Sequence, residues 1–222
     1  MFLLAIIVIL SYLVGSIPTS IIISKLVKGI DIRNFGSGNA GGTNVMRVLG
    51  WKYGVLVILL DALKGAIAVI LVARLHFGVL PFQNVSPFDD FTLVQIIAGL
   101  SAVVGHIWTI FAGFKGGKGI ATALGMLIMI ITVDMLIALA VFVLTVSISK
   151  YVSLGSILGA LAVPATLIIR ENLFNSHIEG YHTLLPFVFA VSILVLFTHR
   201  KNIIRIFNGT ENRLSFKKKV IK

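Results

Sequence analysis

Long apolar runs, separated by short polar connections, are the feature that most restricts what this chain can fold into. Five runs approach the ~20 apolar residues that a helix needs to cross a bilayer. They are Met1–Ser24, Tyr53–Leu75, Phe91–Ala112, Val152–Ile169 and Thr183–Thr198. A backbone in lipid must satisfy its own polar groups, and a continuous apolar run does so as a helix. The pattern therefore predicts an all-α integral membrane protein.

Composition agrees with this class. The chain is 58% hydrophobic and 12% charged, against about 25% charged residues in soluble domains. It has no cysteine, which excludes disulfides, thiolate metal sites and a cysteine nucleophile. The formal charge is +11, but the cations flank apolar runs, which favours an anionic membrane face and phosphorylated ligands over nucleic acid. We expect one multi-pass membrane domain over residues 1–222.

The polar connections are Lys25–Lys52, His76–Asp90, Gly113–Gly119, Arg170–His182 and the end His199–Lys222.

A sixth apolar run, Ile120–Ser149, is too long for one crossing. Thr132-Val133-Asp134 near its middle predicts a tight turn between two short helices of about 21 Å each. In the first run, Pro18 predicts a kink.

The distribution of lysine and arginine decides between six and seven crossings. If Ile120–Ser149 crosses twice, nearly all cations share one side with the basic end, and the other side is acidic. If it crosses once, Lys217–Lys219 lie outside. Because cations concentrate on cytoplasmic loops, we expect a bundle of seven transmembrane helices, with an external N-terminus and a cytoplasmic C-terminus.

The first polar connection holds the segment Gly36–Arg47, rich in glycine and small polar residues. Glycine lets backbone approach a ligand closely, and successive N–H groups in such a loop can bind an anion. Arg47 adds a fork that suits phosphate. The alternative is a flexible, capped connection between two membrane helices.

A second loop of the same character is Gly113–Gly119. It resembles the nucleotide loop G-x-x-x-x-G-K-[ST] but has Ala112 in place of the first glycine and Gly119 in place of the hydroxyl. We therefore reject an ATPase. A glycine loop with two lysines that opens a helix is a natural anion site; the alternative is a basic cytoplasmic loop with flexible glycines. Two such loops on one face favour phosphate binding.

Several ionisable residues allow two interpretations. Asp61 and Lys64 can meet on one helix face; at membrane depth they are functional candidates or a self-neutralising pair. His106 could orient a loop, contact a ligand or only pack.

The basic end allows two interpretations as well. His199, Asn202 and Arg205 are spaced for one helix face and, with Glu211 beyond them, could close over a phosphate. The alternative is a basic helix that only touches lipid head groups.

Five segments together carry a family resemblance: GSGNAGGTNVMR, DALKG, GHIWTIFAGFKGGKG, YVSLGS and HRKNIIRIFNGTE. In this order they resemble the motifs of the bacterial acyl-phosphate-dependent glycerol-3-phosphate acyltransferases, over most of the chain. One departure is Gly42, where alanine is more usual, and it leaves the polar positions intact.

The resemblance implies a seven-helix enzyme of the bacterial cell (inner) membrane with its active site on the cytoplasmic face. Such enzymes move a fatty acyl group from acyl phosphate to the sn-1 hydroxyl of glycerol 3-phosphate, giving lysophosphatidic acid and inorganic phosphate. We expect a monomer in the lipid bilayer, with no cofactor and no metal.

The residues expected to carry catalysis are Ser37, Arg47, Lys118, His199 and Asn202. Those expected to bind substrate are Gly38, Asn39, Thr43, Asn44, His106, Lys115, Gly116, Gly117, Gly119, Ser153, Ser156 and Glu211.

The roles are hypotheses. Arg47, Ser37, His199 and Asn202 would hold the phosphate of glycerol 3-phosphate, and Lys118 or Lys115 would be shared between the two substrates.

Backbone N–H groups of Gly116, Gly117 and Gly119 would cradle the acyl phosphate. Ser153, in preference to Ser156, would bond the acceptor or steady the first loop. Thr43 and Asn44 would shape that loop, and Glu211 would latch the basic end.

The chemistry needs no acyl-enzyme, because acyl phosphate is a mixed anhydride with a good leaving group. Acyl-CoA-type glycerol acyltransferases use a His–Asp dyad with the spacing H-x-x-x-x-D, and no histidine in this chain is followed by aspartate at that spacing. With no such general base, a substrate phosphate oxygen is the expected proton acceptor. Positioning can contribute about 7–11 kcal/mol. The rival function is a multi-pass transporter of a phosphorylated metabolite, although a transport path needs polar residues near the midplane. A structural scaffold has no use for two glycine-lysine loops.

Overall fold

The computed structural model describes residues 2–76 and 88–213, and every regular element in these two ranges is helical. The prediction of an all-α protein is thereby confirmed. The chain divides into two compact units, of which the first ends at Ile130 and the second begins at Ile131. The prediction of one domain over residues 1–222 stays a prediction. Most of the polar connection His76–Asp90, and the cations Lys217–Lys219 on which the predicted number of crossings depends, lie outside the described residues.

The first unit contains six α-helices within its described residues. They are α1 (Phe2–Gly15), α2 (Thr19–Lys28), α3 (Gly42–Leu49), α4 (Trp51–Ile67), α5 (Asp90–Ile107) and α6 (Ile120–Ile130). A π-helical segment, Ala68–Val72, and a 3₁₀ turn, Ala73–Leu75, extend α4, and further 3₁₀ turns cover Ile32–Asn34 and Ile110–Ala112.

The described part of the second unit contains α7 (Thr132–Ser149), α8 (Val152–Asn172), α9 (Tyr181–Thr198) and α10 (Arg200–Phe207). Helix α8 packs against both α7 and α9. On α8, Arg170 donates to the buried carboxylate of Asp134 at 2.5 Å. This ion pair ties the start of α7 to the end of α8.

Six helical segments in the described part of the chain are long and apolar enough to cross a membrane. They are Phe2–Lys28, Trp51–Leu75, Asp90–Ala112, Thr132–Ser149, Val152–Asn172 and Tyr181–Thr198. The prediction of an integral membrane protein with several transmembrane helices is confirmed. Seven crossings and the orientation of the termini stay predictions.

Two local expectations need correction. Pro18 does not merely kink the first run, because α1 ends at Gly15 and α2 begins at Thr19. The run Ile120–Ser149 does break near its middle, but the break is at Ile131, and Thr132, Val133 and Asp134 form the start of α7 and not a turn. Helix α6 has 11 residues and α7 has 18. At 1.5 Å per residue only α6, at about 16 Å, is short. Helix α7 ends at Ser149, and the next residue, Lys150, takes a left-handed conformation.

Close backbone packing brings α6 against α4. A Cβ atom on Gly65 would lie 2.0 Å from the carbonyl oxygen of Thr122, and one on Gly125 would lie 1.9 Å from that of Ala62. Small residues at such crossings let membrane helices approach closely. Helix α3 packs on another part of α4, so α4 contacts both the helix that begins within the first glycine-rich segment and the helix that follows the second.

The first polar connection is more ordered than the sequence indicates. The sequence predicts a loop over Lys25–Lys52, yet α3 forms in the second half of this connection. A buried apolar cluster of Ile21, Ile32, Ala40, Val45 and Val57 lies beneath it. Packing of Val45 into this cluster explains why a segment that starts Gly-Thr-Asn, three poor helix formers, is helical.

Candidate active site

Asn44 holds the first glycine-rich segment in shape. Its side-chain amide donates to the carbonyl oxygens of Ile32, Phe35 and Asn39 at 3.2, 2.9 and 3.1 Å. Its Oδ1 atom accepts from the N–H of Ser37 at 2.8 Å. Asn44 is buried, so these four bonds satisfy a polar group that would otherwise be costly to bury. The prediction that Asn44 shapes the loop is confirmed.

The second glycine-rich loop folds back on the end of α5. The N–H groups of Gly116 and Gly117 donate to the carbonyl oxygens of Ile107 and His106 at 3.0 and 3.1 Å. A Cβ atom on Gly116 would lie 1.9 Å from the carbonyl oxygen of His106, so only glycine permits this approach. The expectation that these two N–H groups cradle a phosphate is wrong for this conformation, because both already have partners.

Arg33, just before the first glycine-rich segment, bonds the second glycine-rich loop and the residue before it, a role that the sequence does not indicate. Its Nη1 atom donates to the carbonyl oxygens of Ala112 and Lys115 at 2.8 and 3.3 Å. Its Nε and Nη2 atoms donate to the carboxylate of Asp31, the latter at 2.7 Å. Asp31 in turn caps the turn Ile32–Asn34 by accepting from the N–H of Arg33. These hydrogen bonds from Arg33 lower the pKa of the Asp31 carboxyl group and raise the pKa of the guanidinium.

A pocket of about 440 Å³ lies where the two segments meet. Its walls come from the first segment, from the start of α6 and from α4 and α5. The lining residues are Ser37, Asn39, Gly41, Gly42, Thr43, Asn44, Arg47, Ile58, Asp61, His106, Lys118, Gly119, Ile120, Ala121 and Leu124.

The electrostatics of this pocket favour an anion. The amino-terminal residues of α3 and of α6 both line it. The first N–H groups of a helix have no partner within the helix, and the helix dipole adds positive potential there. Arg47 and Lys118 add two full positive charges and are exposed. Ile58 and Leu124 form an apolar portion of the wall, so the pocket suits a phosphate joined to an apolar group.

A buried charged network lies beside this pocket. The Oδ1 atom of Asp61 accepts from the hydroxyl of Thr19 at 2.5 Å and lies 2.9 Å from the Nζ atom of Lys64. Lys64 also donates to the carbonyl oxygen of Ile17 at 2.9 Å and lies 3.0 Å from Nδ1 of His106. Both members of the Asp61–Lys64 pair are buried. The predicted meeting of Asp61 and Lys64 on one helix face is confirmed.

In the second unit, Glu211 is the centre of a polar cluster. Its Oε1 atom accepts from the hydroxyl of Ser153 and the amide of Asn202, each at 2.9 Å. Its Oε2 atom accepts from Nε of Arg205 at 2.7 Å. The bonds from Asn202 and Arg205 lower the pKa of Glu211. The prediction that Glu211 latches the basic end is confirmed, and Ser153 contributes to this cluster. The predicted contacts of Ser153 with the acceptor or with the first loop stay predictions.

A second pocket, of about 380 Å³, lies over this cluster. It is lined by Val152, Ser153, Ser156, His199, Asn202, Glu211, Asn212 and Arg213. Nδ1 of His199 lies 2.9 Å from the carbonyl oxygen of Val195. Because a carbonyl oxygen can only accept, Nδ1 carries a proton. Ser156 donates to the carbonyl oxygen of Val152 within its own helix.

Most of the expected site residues therefore line one of two pockets. Those that line the pocket of the first unit are Ser37, Asn39, Thr43, Asn44, Arg47, His106, Lys118 and Gly119. Those that line the pocket of the second unit are Ser153, Ser156, His199, Asn202 and Glu211.

Gly116 and Gly117 line a small separate cavity beside Lys64 and His106. In the described chain, Gly38 and Lys115 line none of these three spaces. Nor do the described residues include three His, Asp or Glu side chains placed to bind a metal. Contacts of all these residues with substrate stay predictions.

Helices fit to cross a membrane define an integral membrane protein, and the cation-lined pocket with an apolar wall has the chemistry that a phosphorylated compound would require. The family model described as glycerol-3-phosphate acyltransferase matches residues 5–209. The chain belongs to this glycerol-3-phosphate acyltransferase family. It is therefore an acyltransferase, and the family argues against the transporter alternative.

Curated relatives are similar in sequence along nearly the whole chain. The glycerol-3-phosphate acyltransferase of Chlorobaculum tepidum is 50% identical over 228 aligned positions, covering 96% of this chain and 97% of the relative. That of Chlorobium phaeobacteroides (strain BS1) is 49% identical, covering 97% and 98%.

Two solved structures of PlsY, an integral membrane glycerol 3-phosphate acyltransferase, are similar in fold. The glycerol 3-phosphate form is 37% identical with a TM-score of 0.66, covering 96% of each chain. The lysophosphatidic acid form is 36% identical with the same TM-score, covering 96% of this chain and 95% of that one.

Proposed function

We propose that this enzyme transfers a fatty acyl group from acyl phosphate to the sn-1 hydroxyl of glycerol 3-phosphate, giving lysophosphatidic acid and inorganic phosphate. Related PlsY structures are described as glycerol 3-phosphate and lysophosphatidic acid forms, which supports this acceptor and product. The acyl phosphate donor rests on the family resemblance and on the absence of an H-x-x-x-x-D sequence.

The observation that carries the proposal is the pocket of the first unit. It joins Arg47 of the first motif to Lys118 of the second, with the amino termini of α3 and α6 in its wall. A phosphate bound there would receive charge-assisted hydrogen bonds and the potential of two helix ends. The apolar wall at Ile58 and Leu124 suits the first carbons of an acyl chain.

Catalysis in this proposal rests on positioning and charge. Attack of the sn-1 oxygen on the acyl carbon forms the ester bond, the carbon–oxygen bond to phosphate breaks, and the hydroxyl proton passes to a phosphate oxygen. Lys118 stabilises the negative charge that develops on the leaving phosphate. Arg47 and Ser37 hold the phosphate of glycerol 3-phosphate. His199 and Asn202, which lie in the second unit, remain predicted phosphate ligands.

We also propose a placement in the bacterial cell membrane. The enzyme acts as a monomer that crosses the membrane seven times, through the six long apolar segments and the shorter helix α6. The polar motifs of the enzyme lie on the cytoplasmic face. A helix of 11 residues is shorter than the hydrocarbon layer, so local thinning of the bilayer would accompany α6.

The experiment is a two-substrate assay. Purified protein in lipidic mesophase receives palmitoyl phosphate and glycerol 3-phosphate without magnesium or coenzyme A, and phosphate release is followed. The proposal expects release that requires both substrates and that matches lysophosphatidic acid formation. Formation of lysophosphatidic acid from acyl-CoA, with release of coenzyme A, but not from palmitoyl phosphate would contradict the donor assignment.

A further inference from the structure

His106 links a buried ion pair to the wall of the phosphate pocket. Its ring lines both the pocket of the first unit and the small cavity beside Gly117. Its Nδ1 atom lies 3.0 Å from Nζ of Lys64 and 3.4 Å from the carboxylate of Asp61. The ring is therefore fixed from one side by groups that belong to α4.

The contact with Lys64 determines which nitrogen carries the proton. A lysine ammonium group can only donate, and Lys64 already faces Asp61 and the carbonyl oxygen of Ile17. At 3.0 Å, Nδ1 of His106 must accept from this ammonium group. The proton of the neutral ring is then on Nε2.

The Nε2 atom lies against the second glycine loop. A Cβ atom on Gly117 would be 2.2 Å from Nε2, so the glycine leaves the ring edge uncovered. Among the residues that the structure describes, no protein acceptor bonds Nε2. Because Nε2 is also not among the fully buried polar atoms that lack a partner, this atom keeps some accessible surface. His106, whose Nε2 has no protein acceptor, thus lines both the small cavity at Gly117 and the pocket that contains Lys118 and Arg47.

We infer that Nε2–H of His106 donates a hydrogen bond to a substrate phosphate, and that Asp61 and Lys64 are positioning residues that hold His106 in this tautomer. The inference rests on the proposed function for the identity of the phosphate. It gives the buried pair a task in the reaction beyond joining two helices. It is consistent with glycine at 117, where a Cβ atom would lie 2.2 Å from Nε2 and 2.6 Å from the carbonyl oxygen of Ala40.

The first test reads the tautomer directly. The full chain, labelled with ¹⁵N-histidine, is studied by NMR in detergent micelles, and His106→Gln identifies the His106 signals by difference. We expect an unprotonated Nδ1 and a protonated Nε2, and an Nε2 resonance that moves when glycerol 3-phosphate or palmitoyl phosphate is added. The substrate that moves it identifies which phosphate is bound. A proton on Nδ1, or no response to either compound, would overturn the inference.

The second test uses paired variants. Gln at position 106 keeps a donor near the place of Nε2, whereas Asn has its amide near the place of Nδ1. We expect His106→Asn to raise KM about tenfold, the loss expected for one hydrogen bond to a charged group, and His106→Gln to raise it less. Equal impairment of the two variants would count against the donor role.

The third test removes the positioning pair as a unit. Asp61→Leu combined with Lys64→Met leaves no unpaired buried charge, which is the usual cause of collapse when one partner is removed. We expect a mixture of His106 tautomers and a raised KM with a smaller change in kcat. An unchanged tautomer would overturn the role of the pair. Since the NMR signals need no turnover, failure of acyl transfer in the wild type would reject the proposed function and leave this test intact.

Discussion

Arg33 and Ala112 are joined by a 2.8 Å hydrogen bond from the guanidinium Nη1 to the backbone carbonyl oxygen. This bond joins the turn before the first glycine-rich segment to the residue before the second, across 79 positions of sequence. The two segments that follow these residues contribute Arg47 and Lys118 to the pocket of the first unit.

Replacing Arg33 by methionine should loosen the pocket without removing a pocket residue. We expect kcat/KM to fall by up to ~100-fold, because small misplacements of binding groups are costly to catalysis. Steady-state kinetics of phosphate release measure this. Lys28→Met, a lost cation at the exposed end of α2, is the matched control and should leave kinetics unchanged. Equal effects of the two changes would show that only net charge matters.

The Arg33–Asp31 pair should make stability depend on pH. The folded pKa of Asp31 lies below its ordinary value, so the pair contributes stability above about pH 3.9, the usual pKa of aspartate. That contribution is lost as the pH falls through the lower folded pKa. Asp31→Asn keeps the capping oxygen but removes the charge. The melting temperature of wild type should exceed that of the variant at neutral pH, and the gap should shrink in acid. A constant gap would contradict this.

Gly116 should tolerate no side chain. A Cβ atom there would meet the backbone oxygen of His106 at 1.9 Å, and backbone cannot move aside as a flexible side chain can. We expect Gly116→Ala to lose most activity in the phosphate-release assay. Gly113→Asn is a control in the same loop, since that position is open and has a φ of +66°, which asparagine accepts. A fully active Gly116→Ala would mean that the loop does not pack on α5 as described.

Ser153 should act through Glu211. Its hydroxyl donates to the same carboxylate oxygen as Asn202. Ser153→Ala and Glu211→Ala should therefore be non-additive in activity, with the double variant little worse than Glu211→Ala alone. Ser176→Ala, on an exposed residue between α8 and α9, should combine additively with Glu211→Ala. Additive effects of Ser153 and Glu211 would indicate independent roles.

The sequence predicted the residue types of the pocket better than their geometry. Glycine, lysine and arginine in two segments indicated anion binding, and the segments do meet in one pocket. It could not indicate α3, because Gly-Thr-Asn disfavours a helix and the burial of Val45 that compensates is tertiary. The tie of Arg33 to Ala112 is equally invisible, since it joins a side chain to a distant backbone oxygen.

Binding of glycerol 3-phosphate to purified protein, measured by calorimetry for wild type and Arg47→Met, tests the central claim most directly. Arg47 lines the phosphate pocket and is exposed, so its loss should spare the fold. We predict affinity reduced about 10–100-fold, the range for lost hydrogen bonds between charged groups. Lys52→Met, on an exposed cation of α4, should bind like wild type. Unchanged affinity in Arg47→Met would contradict the assignment of this pocket to the phosphate of glycerol 3-phosphate.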